Sequence, residues 1–261
     1  MTAIGNKDII DQAKVKPLIY WFLGLTIVFS MPFQWLLINM GMAYLYIFAF
    51  MWAPGLAALV ACRIMGVDLS ILGFKWGKGK WILMCYLIPL GYFLVIYGIT
   101  WVGGYGEFFN AKVMTKVGDQ LGLNGWSNTE VALLAIPLAA IVSLPQQLAS
   151  ALGEEIGWRG LLAPQLMRLM SFPKASFLSG LIWFAWHIPI IVWGSYMIQE
   201  RPETWQIGYF AIMLIGMSFP MMYYRLKSGS LWTGAIFHAS HNLFLLFVFL
   251  RLTQDTHQTK Y

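Results

Sequence analysis

Residues 131–159 read V-A-L-L-A-I-P-L-A-A-I-V-S-L-P-Q-Q-L-A-S-A-L-G-E-E-I-G-W-R. No charge interrupts the run from Val131 to Gly153, and then Glu154, Glu155 and Arg159 arrive within six residues. About twenty apolar residues cross a hydrocarbon layer of about 30 Å, so the run predicts a membrane-spanning helix over 130–152. An ionised side chain carried to such depth costs at least about 2.5 kcal/mol, which marks functional groups far more often than structural ones. One stretch therefore announces both the class of the fold and a candidate site.

The rest of the chain agrees. Of 261 residues 59% are hydrophobic and 11% charged, well below the roughly 25% charged residues of soluble domains. Seven apolar runs have spanning length, at 17–40, 42–63, 81–102, 130–152, 174–194, 205–226 and 230–250. This is an all-α, polytopic integral membrane bundle, read as a single domain over 1–261. Its motif-bearing core covers 130–250. Gly41 alone joins the first two runs, which predicts a tight helical hairpin. Prolines 32, 54, 89, 137, 145, 189 and 220 fall inside the runs. Each removes a backbone donor, and neighbouring helices must satisfy the freed carbonyls, which favours a compact bundle with a polar interior.

Basic residues set the expected orientation. With the N-terminus in the cytoplasm, that side receives Lys7, Lys14, Lys16, Arg63, Lys75, Lys78, Lys80, Arg168, Lys174, Arg225 and Lys227. The opposite side receives Lys112, Lys116, Arg201, Arg251 and Lys260. That asymmetry follows the positive-inside rule. The segment 1–16 lacks the features of a removable signal peptide, so the first span is expected to stay as an anchor. Short loops and the absence of eukaryotic sorting signals suit a bacterial inner membrane. The net charge of +6 resides in loops that face anionic lipid, and no basic stripe suited to nucleic acid exists. The partners expected are the bilayer and a peptide or membrane-anchored protein substrate; oligomeric state leaves no sign. Cys62 and Cys85 read as small buried hydrophobes.

Two further segments carry local expectations. Residues 66–80, with Trp76 and three lysines, read either as an amphipathic stretch on the inner membrane surface or as an ordinary loop. Residues 103–128 form the longest outer loop, with a short helix expected around Ala111–Leu121.

Three of the four histidines, His187, His238 and His241, also lie in apolar runs. Glu155 and Arg159 are four apart and share a helical face, so they are expected to pair. Glu154, rotated by about 100°, points elsewhere, toward a cavity. His238 and Asn242 are likewise four apart. At about 1.5 Å per residue, His187 lies roughly 20 Å beyond Lys174 and His238 roughly 12 Å beyond Ser230, both inside the slab. A water held between Glu154 and His187, with His238 and Asn242 donating to a developing oxyanion, would make a hydrolase. His241 reads as a surface-facing or water-linked bystander. Trp158, Trp183, Trp186, Trp193 and Trp205 read as core or interfacial belt.

In order and spacing, E-E-x-x-x-R at 154–159, the histidine at 187 and H-x-x-x-N at 238–242 resemble the three motifs of one family. It is the CPBP (Abi) family of intramembrane endopeptidases, which includes the CaaX prenyl endopeptidase. The resemblance covers roughly 130–250. It implies an eight-helix bundle with a conical polar cavity open to the cytosol, where this chain offers seven spans. It also implies a glutamate-dependent mechanism without tightly bound metal. Glu154 and His187 would activate the water, His238 and Asn242 would stabilise the oxyanion, and Glu155 with Arg159 would hold the site in shape. The family's second motif usually has Phe four residues before its histidine; here that position is Trp183. Two other readings stand beside this one: a zinc hydrolase with Glu154, His187 and His238 as ligands, and a non-enzymatic transporter or adaptor on the same scaffold.

Overall fold

The computed structural model describes residues 10–194, 196 and 203–254. Among them, seven helices are long and apolar enough to cross a membrane, in agreement with the seven runs read from the sequence. They are α1 (Gln12–Met40), α2 (Tyr44–Met65), α3 (Gly79–Val102), α5 (Asn128–Leu166), α6 (Phe172–Val192), α7 (Glu203–Ser228) and α8 (Trp232–Leu252). The short amphipathic α4 (Ala111–Gln120) occupies the long loop where a helix was expected, with Asn110 capping its start through Val113 N–H. Of the orientation charges, Lys7, Arg201 and Lys260 lie outside the described residues.

Burial differs sharply between spans. Two-thirds of the most apolar window of α8 is buried (67%), against 17% for α3. In a bilayer the exposed apolar side chains of α3, among them Leu87, Leu94, Val95 and Ile99, face lipid tails at no cost. The final helix can therefore carry histidines, because protein surrounds it.

The chain divides into two compact units. One comprises residues 1–82 and 150–235; the other comprises 83–149 and 236–261.

In the first unit, α1 and α2 form the expected hairpin, joined through Gly41, and pack along their lengths. The end of α5 crosses α2 at backbone contact. A Cβ on Gly153 would lie 2.7 Å from Met51 O, one on Gly157 would lie 2.8 Å from Pro54 O, and one on Gly55 would lie 2.5 Å from Gly153 O. Small residues one turn apart let helices approach this closely in a membrane protein. Beyond Glu155 the helix widens into a π segment, Ile156–Leu162, in which every residue is buried. The 66–80 segment is anchored to the start of α8. It makes a 3-10 turn, Leu69–Leu72, whose following residues are tied down by Trp232 Nε1–H on Phe74 O (2.8 Å) and Leu231 N–H on Gly73 O (2.9 Å). Its lysines remain exposed.

In the second unit, Phe93, Tyr97, Leu243, Phe244, Val248, Phe249 and Leu252 form an aromatic-rich core. α8 passes through a second π segment here, Phe244–Phe249. A two-residue antiparallel pairing of Glu107–Phe108 with Thr253–Gln254 closes the loop between α3 and α5 onto the end of α8.

Candidate active site

Glu154, Glu155 and Arg159 sit at the end of α5 with 2%, 0% and 1% exposure. The i, i+4 spacing does what it predicted: Arg159 Nη1 donates to Glu155 Oε1 at 3.0 Å. The guanidinium is further satisfied from α7, where Nη2 meets Ser218 Oγ at 3.3 Å and Met221 Sδ at 3.1 Å. A Cβ on Gly234, at the start of α8, would lie 2.8 Å from Glu155 Oε2. Charge neutralisation and hydrogen bonds together allow a carboxylate and a guanidinium to be buried.

Glu154 faces a different set of groups. Its Oε2 accepts from Trp158 Nε1–H at 3.2 Å and from Trp183 Nε1–H at 2.5 Å. Two indole N–H groups, from two different helices, thus converge on one carboxylate oxygen. The sequence left Trp158 and Trp183 as core or interfacial belt, and both are core (0% and 1% exposed). What it missed was that their indole N–H groups hold the carboxylate. The available signal was the i, i+4 relation of Glu154 to Trp158.

Trp183 does more than donate. Arg159 Cζ lies 4.2 Å from the centroid of its ring, a cation–π contact. Its carbonyl, one turn before His187, accepts from His187 Nδ1 at 2.9 Å. A carbonyl only accepts, so Nδ1 carries a proton. His187 is 5% exposed and sits among rings, with Trp186 at 4.7 Å and Phe210 at 5.1 Å, both edge-on. Trp186 is in turn stacked on Phe50 at 3.9 Å and bonded to Ser30 Oγ at 2.7 Å. Helices α1 and α2 thereby fix the face of α6 that carries the imidazole. The first unit thus brings Glu154, Glu155, Arg159 and His187 together through one residue, Trp183.

His238 and Asn242 belong to the second unit, on one face of α8, with His238 buried (6%) and Asn242 half-buried. The helix is held at this level by Ser240 Oγ–H, which donates to Cys85 O at 3.2 Å. His241 departs from its reading as a surface or water-linked group. It is 4% exposed, hydrogen-bonded through Nδ1 to the Tyr92 hydroxyl, with the Phe93 ring 5.1 Å away. A phenol beside it supplies the partner that water was expected to provide. Arg225, read as a loop cation, is also buried at 6% exposure. Among the described residues, no three His, Cys, Asp or Glu side chains are placed as a metal-ligand set.

Comparison with known proteins bears on the same residues. Residues 133–244 match the family model described as type II CAAX prenyl endopeptidase Rce1-like. The chain is also 35% identical over 112 residues to CAAX prenyl protease 2 of Methanococcus maripaludis. That alignment covers 42% of this chain and 41% of the relative, so it spans about two-fifths of the relative's length. The resemblance read from the three motifs is borne out over this stretch, which contains every candidate site residue.

Proposed function

We propose that this chain, whose residues 133–244 carry the Rce1-like match, is an intramembrane endopeptidase. It hydrolyses a peptide bond near the C-terminus of a membrane-associated substrate. The observation that carries the reading is the Trp183 linkage: its indole N–H holds Glu154 at 2.5 Å and its carbonyl orients His187 at 2.9 Å. A buried carboxylate and a buried imidazole held through one residue form a pair suited to general-base chemistry.

In the proposed reaction Glu154, with His187, accepts a proton from water as the water oxygen attacks the scissile carbonyl carbon. His238 and Asn242 donate to the oxygen that becomes negative, where preorganised donors lower the barrier most. The proton then passes to the amide nitrogen, the C–N bond breaks, and a carboxylic acid and an amine leave, the acid then giving up its remaining proton to the amine or to water. Glu155 and Arg159 take no proton; they hold the turn that presents Glu154. The name of the relative, CAAX prenyl protease 2, suggests a C-terminal CaaX sequence as substrate, with the prenyl chain lying in the bilayer. The basic cytoplasmic loops support a cytoplasmic N-terminus, and we place the protein in a bacterial inner membrane.

The test uses the purified chain in nanodiscs with a farnesylated CaaX peptide and its unprenylated counterpart. Wild type cleaves, and Glu154→Gln, which keeps the shape and the indole contacts, loses at least about a hundredfold in kcat. Undiminished cleavage by that variant removes Glu154 from the mechanism. Activity lost in chelator and restored by zinc replaces the glutamate reading with the metal one.

A further inference from the structure

Arg225, on α7, has main-chain oxygens as its acceptors. Its Nε donates to Arg159 O at 2.9 Å and its Nη2 to Ile71 O at 3.0 Å. The turn after Ile71 is shaped around it. Gly73 has φ +78°, and a Cβ there would come 2.6 Å from Nη2. The same turn accepts Leu231 N–H on Gly73 O at 2.9 Å, so one guanidinium ties α7, the 3-10 turn and the π segment of α5 together.

The sequence explains why Arg159 O needs a side-chain donor. In a π segment a carbonyl is met by the N–H five residues on, as Ala163 N–H meets Trp158 O here. In that register the donor for Arg159 O falls to residue 164. Residue 164 is proline and has no N–H. The carbonyl is buried with the rest of Arg159, and buried backbone carbonyls are almost always paired. Arg225 Nε occupies the place of the missing donor.

We propose that Arg225 is a positioning residue for the Glu154–Arg159 segment. It replaces the hydrogen bond that Pro164 cannot make, and so stabilises the widened turn in which Trp158 and Trp183 both reach Glu154 Oε2. Its catalytic consequence rests on the endopeptidase reading above; its structural consequence does not. A buried cation is thereby assigned a task that a long apolar side chain of similar volume cannot perform.

The experiment is a double-mutant cycle on the whole chain in nanodiscs, using Arg225→Met, Pro164→Ala and the two combined. The Pro164→Ala substitution restores an N–H in register with Arg159 O. In the otherwise wild-type chain Arg225→Met lowers kcat at least about tenfold with KM little changed, about 1.4 kcal/mol of transition-state stabilisation. In the Pro164→Ala background the same substitution costs less than about a third of that free energy. Equal losses in both backgrounds overturn the proposal. Indole N–H resonances of 15N-Trp-labelled protein give a second readout that needs no activity. Those of Trp158 and Trp183, assigned by their response to Glu154→Gln, move in Arg225→Met and return toward wild type in the double variant. Unmoved resonances in Arg225→Met also overturn it. If the wild type cleaves nothing, the endopeptidase reading fails while the resonances still decide the role of Arg225.

Discussion

Between Val131 and Ala149, α5 turns its large side chains outward: Leu133, Ile141 and Val142 are 73%, 71% and 63% exposed. From Ser150 to Ala163 the same continuous helix is buried at nearly every position, and that is where Glu154, Glu155 and Arg159 lie. In a soluble protein the apolar stretch would be inside and the charged one outside. Here Ile136, Ala140 and Leu144 pack on the second unit's aromatic core, and the exposed side chains need no protein partner, because lipid tails are as apolar as leucine. The charged stretch needs many, and it has them: two indoles, a serine, a methionine sulfur and a second arginine. Packing specificity in this helix is therefore concentrated at its polar end.

That contrast is breakable at three points. The largest effect is expected for Glu155→Ala, which removes the carboxylate that pairs directly with the buried Arg159. About 3–5 kcal/mol of stability is lost, because the penalty is that of a buried charge deprived of its direct partner. Thermal unfolding in detergent measures it, and a change below about 1 kcal/mol would show that other groups already neutralise Arg159. Next comes Trp183→Phe, which keeps a ring under Arg159 but removes the N–H that Glu154 accepts. It costs about 1–3 kcal/mol, read as a kcat reduced about tenfold with the protein still folded. Unchanged kcat would show that the Trp183 N–H is not needed to set the carboxylate geometry. The smallest effect belongs to the first half of α5: Ile141→Ala stays within about 0.5 kcal/mol of wild type, the range for exposed positions. A loss of several kcal/mol there would mean that protein, and not lipid, covers that face.

Much of this was legible before any coordinates. The seven spans followed from run length, α4 from a loop too long to be structureless, and the Glu155–Arg159 pair from a spacing of four. The motif order at 154–159, 187 and 238–242 led to the family that residues 133–244 match. Three assignments were not legible. Arg225 looked like any other basic residue beside a loop; its acceptors are Ile71 and Arg159, 154 and 66 residues away. His241 looked like a bystander because its partner, Tyr92, lies 149 residues upstream. Trp183 looked like core filler, and its N–H found Glu154 across 29 residues. Each of these is a contact between helices, which periodicity along one helix cannot report.

By itself the sequence determined which segments enter the bilayer and which ionisable groups go with them. Hydropathy is nearly additive along the chain and spacing of four fixes a helical face, so both are local quantities. Tertiary structure alone decided what surrounds each of those groups, including which oxygen of Glu154 the indoles hold, which nitrogen of His187 meets a carbonyl, and which side chain stands in for the N–H that Pro164 lacks. A hydrogen bond is made only at about 3 Å and in the right direction. No local property of the chain specifies which distant residue arrives there.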